Sequence, residues 1–184
     1  GIIDNSGIVC NDSIIIMKRF CDLKGVISNS INNSISKNNL SSKEKKVKVK
    51  EKEKAVRDKR EYLEKISEQY QLAFILGIIN SKYAIAFLNN FRRHRLENYF
   101  YPGDFRNYPI PIVSFKIQGV IADTVYKIQE KKEKGEDTSN LEQYIDNVVY
   151  KLYNLDYKNI LIIEPEFSER MTKEEYDNFK LDEL

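Results

Sequence analysis

The chain has 184 residues, 41% of them hydrophobic and 32% charged, enough apolar material for one sizeable core or two small ones. No run nears the roughly 20 apolar residues of a membrane span, and no basic-then-apolar segment opens the chain, so a cytoplasmic location without a membrane partner is expected. The formal net charge of +2 hides a segregation: residues 1–129 hold 22 Lys and Arg against 13 Asp and Glu, whereas residues 130–184 hold 8 against 15, which would place any polyanion on the earlier two-thirds.

The opening "GIIDNSGIVCNDSIIIMKRF" sets short apolar runs around the turn-forming cluster Asp4-Asn5-Ser6-Gly7. A hairpin followed by a buried strand through Ile14, Ile15 and Ile16 is expected. Cys10 and Cys21, with no second pair, match neither a zinc spacing nor a disulfide framework and read as buried free thiols. Between Ser28 and Ser42 eleven of fifteen residues are Asn or Ser, too polar to bury, so a loop is expected there. Ser41-x-x-Glu44 then offers a capping box, ahead of 11 basic and 6 acidic residues between Lys43 and Lys65. Helix is expected from about Ala55 and only weakly before it, and its charge suits a solvated face or a phosphate-facing ridge. From Leu63 the apolar positions Ile66, Tyr70, Ala73, Phe74 and Gly77 fall on one helical face.

"FILGIINSKYAIAFLNNF" is apolar nearly all round, with Asn80-Ser81 in its middle. Two buried helices are expected, the first stopping at Asn80 and the second capped by Ser81. A basic and aromatic stretch follows, in which Arg92, Arg93, His94, Arg95 and Arg106 lie among Phe91, Tyr99, Phe100, Tyr101, Phe105 and Tyr108. Guanidinium forks match phosphate and the edge of guanine, while Asn89, Asn90 and Asn107 suit either adenine edges or helix ends. The rings, recurring at adjacent positions typical of an irregular packed segment, are expected to pack against a core or interface more than to stack on bases. Tyr101-Pro102-Gly103-Asp104 reads as a turn, and Pro109-Ile110-Pro111 as a stiff extended exit.

Beyond it, Ile117, Val120, Ile121, Val125 and Ile128, then "KEKGED", then Leu141, Ile145, Val148, Val149 and Leu152 describe two amphipathic helices around a glycine turn. An antiparallel helical hairpin is expected, with cap candidates at Asp137, Thr138 and Ser139. No two of the seven glycines are closer than six residues, which excludes dinucleotide and phosphate-binding glycine loops. The single histidine, His94, lies between arginines and makes a poor catalytic base. Glu164/Glu166 and Glu174/Glu175 read as ordinary pairs of an acidic tail. The chain is not expected to be an enzyme by itself, and no metal site is expected in it.

The order "LGIINSKYAIAFLNNFR", "YPGDFRNYPIPIVS", "IDNVVYKLYNLD" resembles the C-terminal target-recognition domain of TaqI-type adenine-specific DNA methyltransferases. It is similar above all to the single-chain type IIG restriction-modification enzymes, and more distantly to type I specificity subunits. In that family a helix pair with "LNSK" precedes a basic-aromatic segment, a "DLRxLPIP"-like connector and a helical region ending "IDxLVYxLYxL". The corresponding pieces here are Leu76 to Lys82, Asp104 to Pro111, with Phe105 and Tyr108 where Leu is usual, and Ile145 to Leu155. Residues 28–65 have no counterpart and read as an insertion. The family's catalytic Asn-Pro-Pro-aromatic tetrapeptide is absent, so the resemblance implies a DNA-reading piece of a longer enzyme.

The expected fold is therefore α+β: a small β region with a buried helix pair, then the helical hairpin. Residues 1–114 would form the DNA target-recognition region and residues 115–184 the hairpin spacer with its acidic tail. The expected partners are double-stranded DNA, met through Arg92, Arg93, Arg95, Arg106, His94, Asn89, Asn90, Lys82 and Tyr99, and the methyltransferase and nuclease domains of the parent chain. The resemblance implies S-adenosylmethionine in the parent's catalytic domain and no cofactor in this chain. The rival expectations are a protein-interaction module using the hairpin, with the arginines pairing to the acidic tail, and a type I specificity domain.

Overall fold

A computed structural model describes residues 19–23, 42–91, 100 and 103–181. Their contacts divide the chain into two units, Met17–Gln69 and a second containing Tyr70–Leu184.

The first unit is built on one long helix, α1 (Ser42–Glu68). It starts well before Ala55, where the weak apolar periodicity gave no reason for a helix. Lys and Glu are strong helix formers without β-branching, and Glu-to-Lys spacings of four, such as Glu61 to Lys65, support a helix without any apolar face. Arg60 Nε donates to Glu64 at 2.7 Å on the same principle. A single 3-10 turn, Phe20–Leu23, rests on the end of α1: the Cys21 N–H donates to Ser67 Oγ (2.9 Å), whose hydroxyl donates to the Glu64 carbonyl. Cys21 is a free thiol, as expected, but half-buried and not buried. The expected insertion, 28–65, falls inside this unit.

The regular elements described in the second unit are all helices, joined around residues 108–114 by an extended connector. The unit comprises α2 (Leu72–Asn80), α3 (Lys82–Phe91), a 3-10 turn (Asp104–Asn107), α4 (Phe115–Glu133), α5 (Ser139–Leu152), α6 (Tyr157–Ile163), α7 (Phe167–Arg170) and α8 (Lys173–Asn178). The helical face expected to run unbroken from Leu63 to Gly77 is interrupted, because α1 ends at Glu68 and α2 begins at Leu72. Gln71 is extended there, and its N–H is taken by Gln118 Oε1 of α4 at 2.8 Å.

The break between α2 and α3 lies where Asn80-Ser81 predicts it. Ser81 serves both helices: its hydroxyl donates to the Ile78 carbonyl (2.7 Å) and accepts from the Ala84 N–H (3.2 Å). The two helices are bent by 67°, and among the described residues no single helix is long and apolar enough to cross a membrane.

The expected hairpin is present as α4 and α5. Ser114 caps α4, with Ile117 N–H donating to its hydroxyl. The turn uses Gly135 at φ 71°, with Gly135 N–H to Lys132 O and Glu136 N–H to Lys131 O closing a Schellman motif. Asn154, at φ 53°, ends α5 in the same way, with Leu155 N–H to Tyr150 O. The main core joins Phe74 and Ile78 of α2, Ala84 and Leu88 of α3, Ile121 and Val125 of α4, and Ile145, Val148 and Val149 of α5. Gly77 lets α2 approach α4 closely: a Cβ there would overlap Ile121 Cγ2 and crowd Val125 Cγ2 at 3.1 Å. A second cluster of Tyr150, Ile160, Phe167 and Tyr176 seats the short helices α6 to α8 on α5.

The expected α+β class is corrected. Among the described residues there is no strand, and the fold is all-α. The helix pair covers its apolar faces with the hairpin, so among the described residues this core is built helix on helix. The expected hairpin and strand within residues 2–16 lie outside the described residues. Helices α2 and α4 pack together across residue 114, so the helix pair and the hairpin share one core.

Candidate nucleic-acid interface

Helix α3 positions what is described of the expected interface. Ala84 and Leu88 face the core, with Tyr83 and Phe87 packed beside them, while Asn89 and Asn90 are exposed in its last turn. Phe91 ends the helix, and Arg92 follows it in the chain. Arg92, Arg93, His94, Arg95 and Tyr99 lie outside the described residues. Arg106 sits in the 3-10 turn Asp104–Asn107, and the turn expected at Tyr101 to Asp104 is described only from Gly103 on.

The proline exit is extended, as expected, and is tied down by its carbonyls. Tyr153 Oη donates to Pro109 O (2.6 Å), Tyr70 Oη to Ile110 O (3.4 Å) and Gln118 Nε2 to Val113 O (3.1 Å). Prolines 109 and 111 have no N–H to offer, so carbonyls carry the anchoring. Of the aromatics in the basic stretch, Tyr108 is buried, edge-on to Phe87 (5.1 Å between ring centres) and tilted against Tyr83 and Tyr153; Phe100 and Phe105 pack edge to face at 6.0 Å. These three rings are packing residues.

Lys82 differs in its setting from Asn89 and Asn90, the other members of the expected set whose side chains are described. It opens α3, and its backbone N–H donates to Asp146 Oδ1 of α5 at 2.8 Å. Its ammonium, 41% exposed, donates to Glu164 Oε1 at 2.5 Å and lies 3.5 Å from Glu166. Glu164, 1% exposed at the end of α6, accepts four hydrogen bonds: Lys82 Nζ and Arg170 Nε (3.0 Å) on Oε1, Arg170 Nη2 (2.8 Å) and Tyr150 Oη (2.9 Å) on Oε2. Arg170 spends its remaining arm on Asn147 Oδ1 at 2.8 Å, and its guanidinium lies over the Phe167 ring.

Electrostatics in this cluster follow from burial first. Burial would raise the Glu164 carboxyl, but Arg170, Lys82 and Tyr150 outweigh it and hold the group below its usual range. Asp146, 5% exposed, goes the other way: burial and the Glu164 charge push it up to about 6 against the Lys82 N–H and ammonium. Burial also pulls on the Lys82 ammonium, yet Glu164, Asp146 and Glu166 keep it above its ordinary value.

A cleft of ≈ 810 Å³ opens beside this cluster, between the α2–α3 break and the hairpin, with Leu76, Ile85 and Ile128 among its apolar walls and Asp146 and Gln143 among its polar ones. Among the described residues no group of three or more His, Cys, Asp or Glu is placed to hold a metal ion.

Three residues that matter to this geometry, Gln118, Asp146 and Arg170, were not singled out by the sequence, and a fourth, Glu164, was read as part of an ordinary acidic tail although it is buried. Glu164 had a signal available: apolar Ile160, Ile163 and Phe167 around it place it on a buried stretch rather than in a solvated tail. No family model, no characterised protein and no solved structure matches this chain.

Proposed function

We propose that the chain is the DNA target-recognition part of a type IIG restriction-modification enzyme, reading duplex DNA through the segment that α3 leads into. Arg92, Arg93, Arg95 and Arg106 supply phosphate and guanine contacts, and Asn89, Asn90, His94 and Tyr99 flank them. In the parent enzyme the catalytic domain binds S-adenosylmethionine and methylates an adenine turned out of the stack, while this chain selects the site. The all-α described fold leaves this reading resting on the residues of the basic segment and not on a fold class.

The observation that supports it best is the charge arrangement around α3. Glu164, the buried carboxylate of the acidic half, draws its countercharges from Lys82 and Arg170. The arginines after Phe91 are therefore not needed to neutralise it. The exposed Asn89 and Asn90 lie in the last turn of the helix, one residue short of Arg92.

Binding of duplex DNA at several salt concentrations tests the proposal. Replacing Arg92 and Arg93 with Ala should weaken binding and reduce the salt slope by about two, one per lost phosphate contact. Unchanged affinity and slope would defeat it. A second reading, a protein-docking face, is favoured by Ile112 (75% exposed), Phe115 and Tyr126, large apolar side chains left open on the connector and the outer face of α4. A chain that shows no retention of random duplex even at low salt belongs to that reading.

A further inference from the structure

Helix α3 is gripped at its first residue by both polar ends of Lys82. The N–H goes to Asp146 on α5 and the ammonium to Glu164 at the end of α6, which is itself fixed by Arg170 of α7 and Tyr150 of α5. Four donors on two carboxylate oxygens define a direction as well as a contact. The last turn carries exposed Asn89 and Asn90. A ten-residue helix is about 15 Å long, so a tilt of about 10° at the base moves its far end by about 3 Å. Hydrogen-bonded recognition needs placement within about 0.5 Å.

We propose that Glu164 and Arg170 are positioning residues for the basic segment: acting through Lys82, they set the angle of α3 and so the point from which the chain enters Arg92. The inference rests on the DNA-reading proposal for its functional consequence. It gives the acidic C-terminal helices a part in recognition without contact to a polyanion. Buried ion pairs contribute little net stability compared with apolar packing, and one that is fully hydrogen-bonded fixes orientation instead.

The test uses the full chain with Glu164→Gln, and Arg170→Lys as a second variant that keeps the cation but loses the fork. Duplex affinity is measured where circular dichroism shows each variant folded, alongside amide hydrogen exchange across residues 82–91. The expected result is faster exchange in α3 with α4 unchanged, and affinity about tenfold weaker. In an Arg92→Ala, Arg93→Ala background the same substitution should cost no further affinity. Folded variants with wild-type affinity and wild-type exchange in α3 overturn the inference, as does an affinity loss of equal size in the Arg92→Ala, Arg93→Ala background. If the wild-type chain binds no DNA, the recognition reading alone falls, and exchange in α3 still decides whether Glu164 and Arg170 hold the helix. Where Glu164→Gln does not fold, Arg170→Lys carries the same outcomes.

Discussion

Gly77 offers the sharpest test of how α2 meets α4. In an exposed helix, Gly to Ala gains about 1 kcal/mol of propensity. At Gly77 the new Cβ would overlap Ile121 Cγ2 and approach Val125 Cγ2 to 3.1 Å. Ile121 is fully buried in the middle of α4 and cannot recoil into solvent. Overpacking costs about 1 to 3 kcal/mol, and a Cβ that overlaps a fully buried methyl falls in the upper part, about 2 to 3 kcal/mol, so Gly77→Ala should lose about 1 to 2 kcal/mol net of the propensity gain. Ile121→Leu deletes the offending Cγ2 at nearly constant volume and should cost under about 1.5 kcal/mol alone. Combined with Gly77→Ala it should recover about 1 kcal/mol relative to the sum of the two. Urea unfolding followed by tyrosine fluorescence is the suitable assay, since the chain has 12 Tyr and no Trp and far-UV signal would be dominated in part by the long α1. A Gly77→Ala chain as stable as wild type, or strict additivity in the double variant, would refute the close-approach argument.

Three further outcomes follow from the buried polar groups. Arg170→Met keeps a stem over Phe167 but removes three hydrogen bonds, two of them from Glu164, and should cost about 3 kcal/mol in urea unfolding; a loss under about 1 kcal/mol would contradict the role assigned to the guanidinium. Gln118→Ala leaves the Gln71 N–H and the Val113 carbonyl without their partner and should cost about 2 to 3 kcal/mol, with Gln118→Glu, which can accept but not donate, falling between it and wild type. Asp146 governs a pH effect: its folded value of about 6 lies above its unfolded one, so its contribution to stability is full below about pH 4 and lost as pH rises through 6, about 3 kcal/mol in all. Glu164, lowered, acts in a separate window, losing stability as pH falls below its unfolded value, and is common to both proteins. Asp146→Asn should therefore gain on wild type by that amount between pH 4 and 7, and parallel stability curves would disprove it.

The parts of this fold that were legible in the sequence are those specified locally. Asn80-Ser81 marks a helix break because a serine hydroxyl can serve the backbone of both helices within three residues. Gly135 marks the hairpin turn because only a left-handed residue closes a Schellman motif there without strain. Long-range partners were not legible. The start of α2 is set by Gln118, 47 residues away, and the start of α3 by Asp146, 64 away; no local pattern announces either. The same distance hid the partner of Lys82, which sequence context assigned to a polyanion and the structure pairs with Glu164. The α+β expectation draws on the isoleucine-rich opening and on family resemblance, whereas the periodicity of residues 72–91 and 115–152 is helical. In α1 the absence of an apolar stripe concealed a helix that charge spacing alone sustains.

The proline connector has a consequence for how this protein can vary. Tyr70, Tyr153 and Gln118 seize peptide oxygens at 110, 109 and 113, and every amino acid possesses that atom. Outward-pointing Ile112 is thus free to be exchanged, and a short peptide tag or fluorescent label grafted there would report on neighbours without unseating the strap.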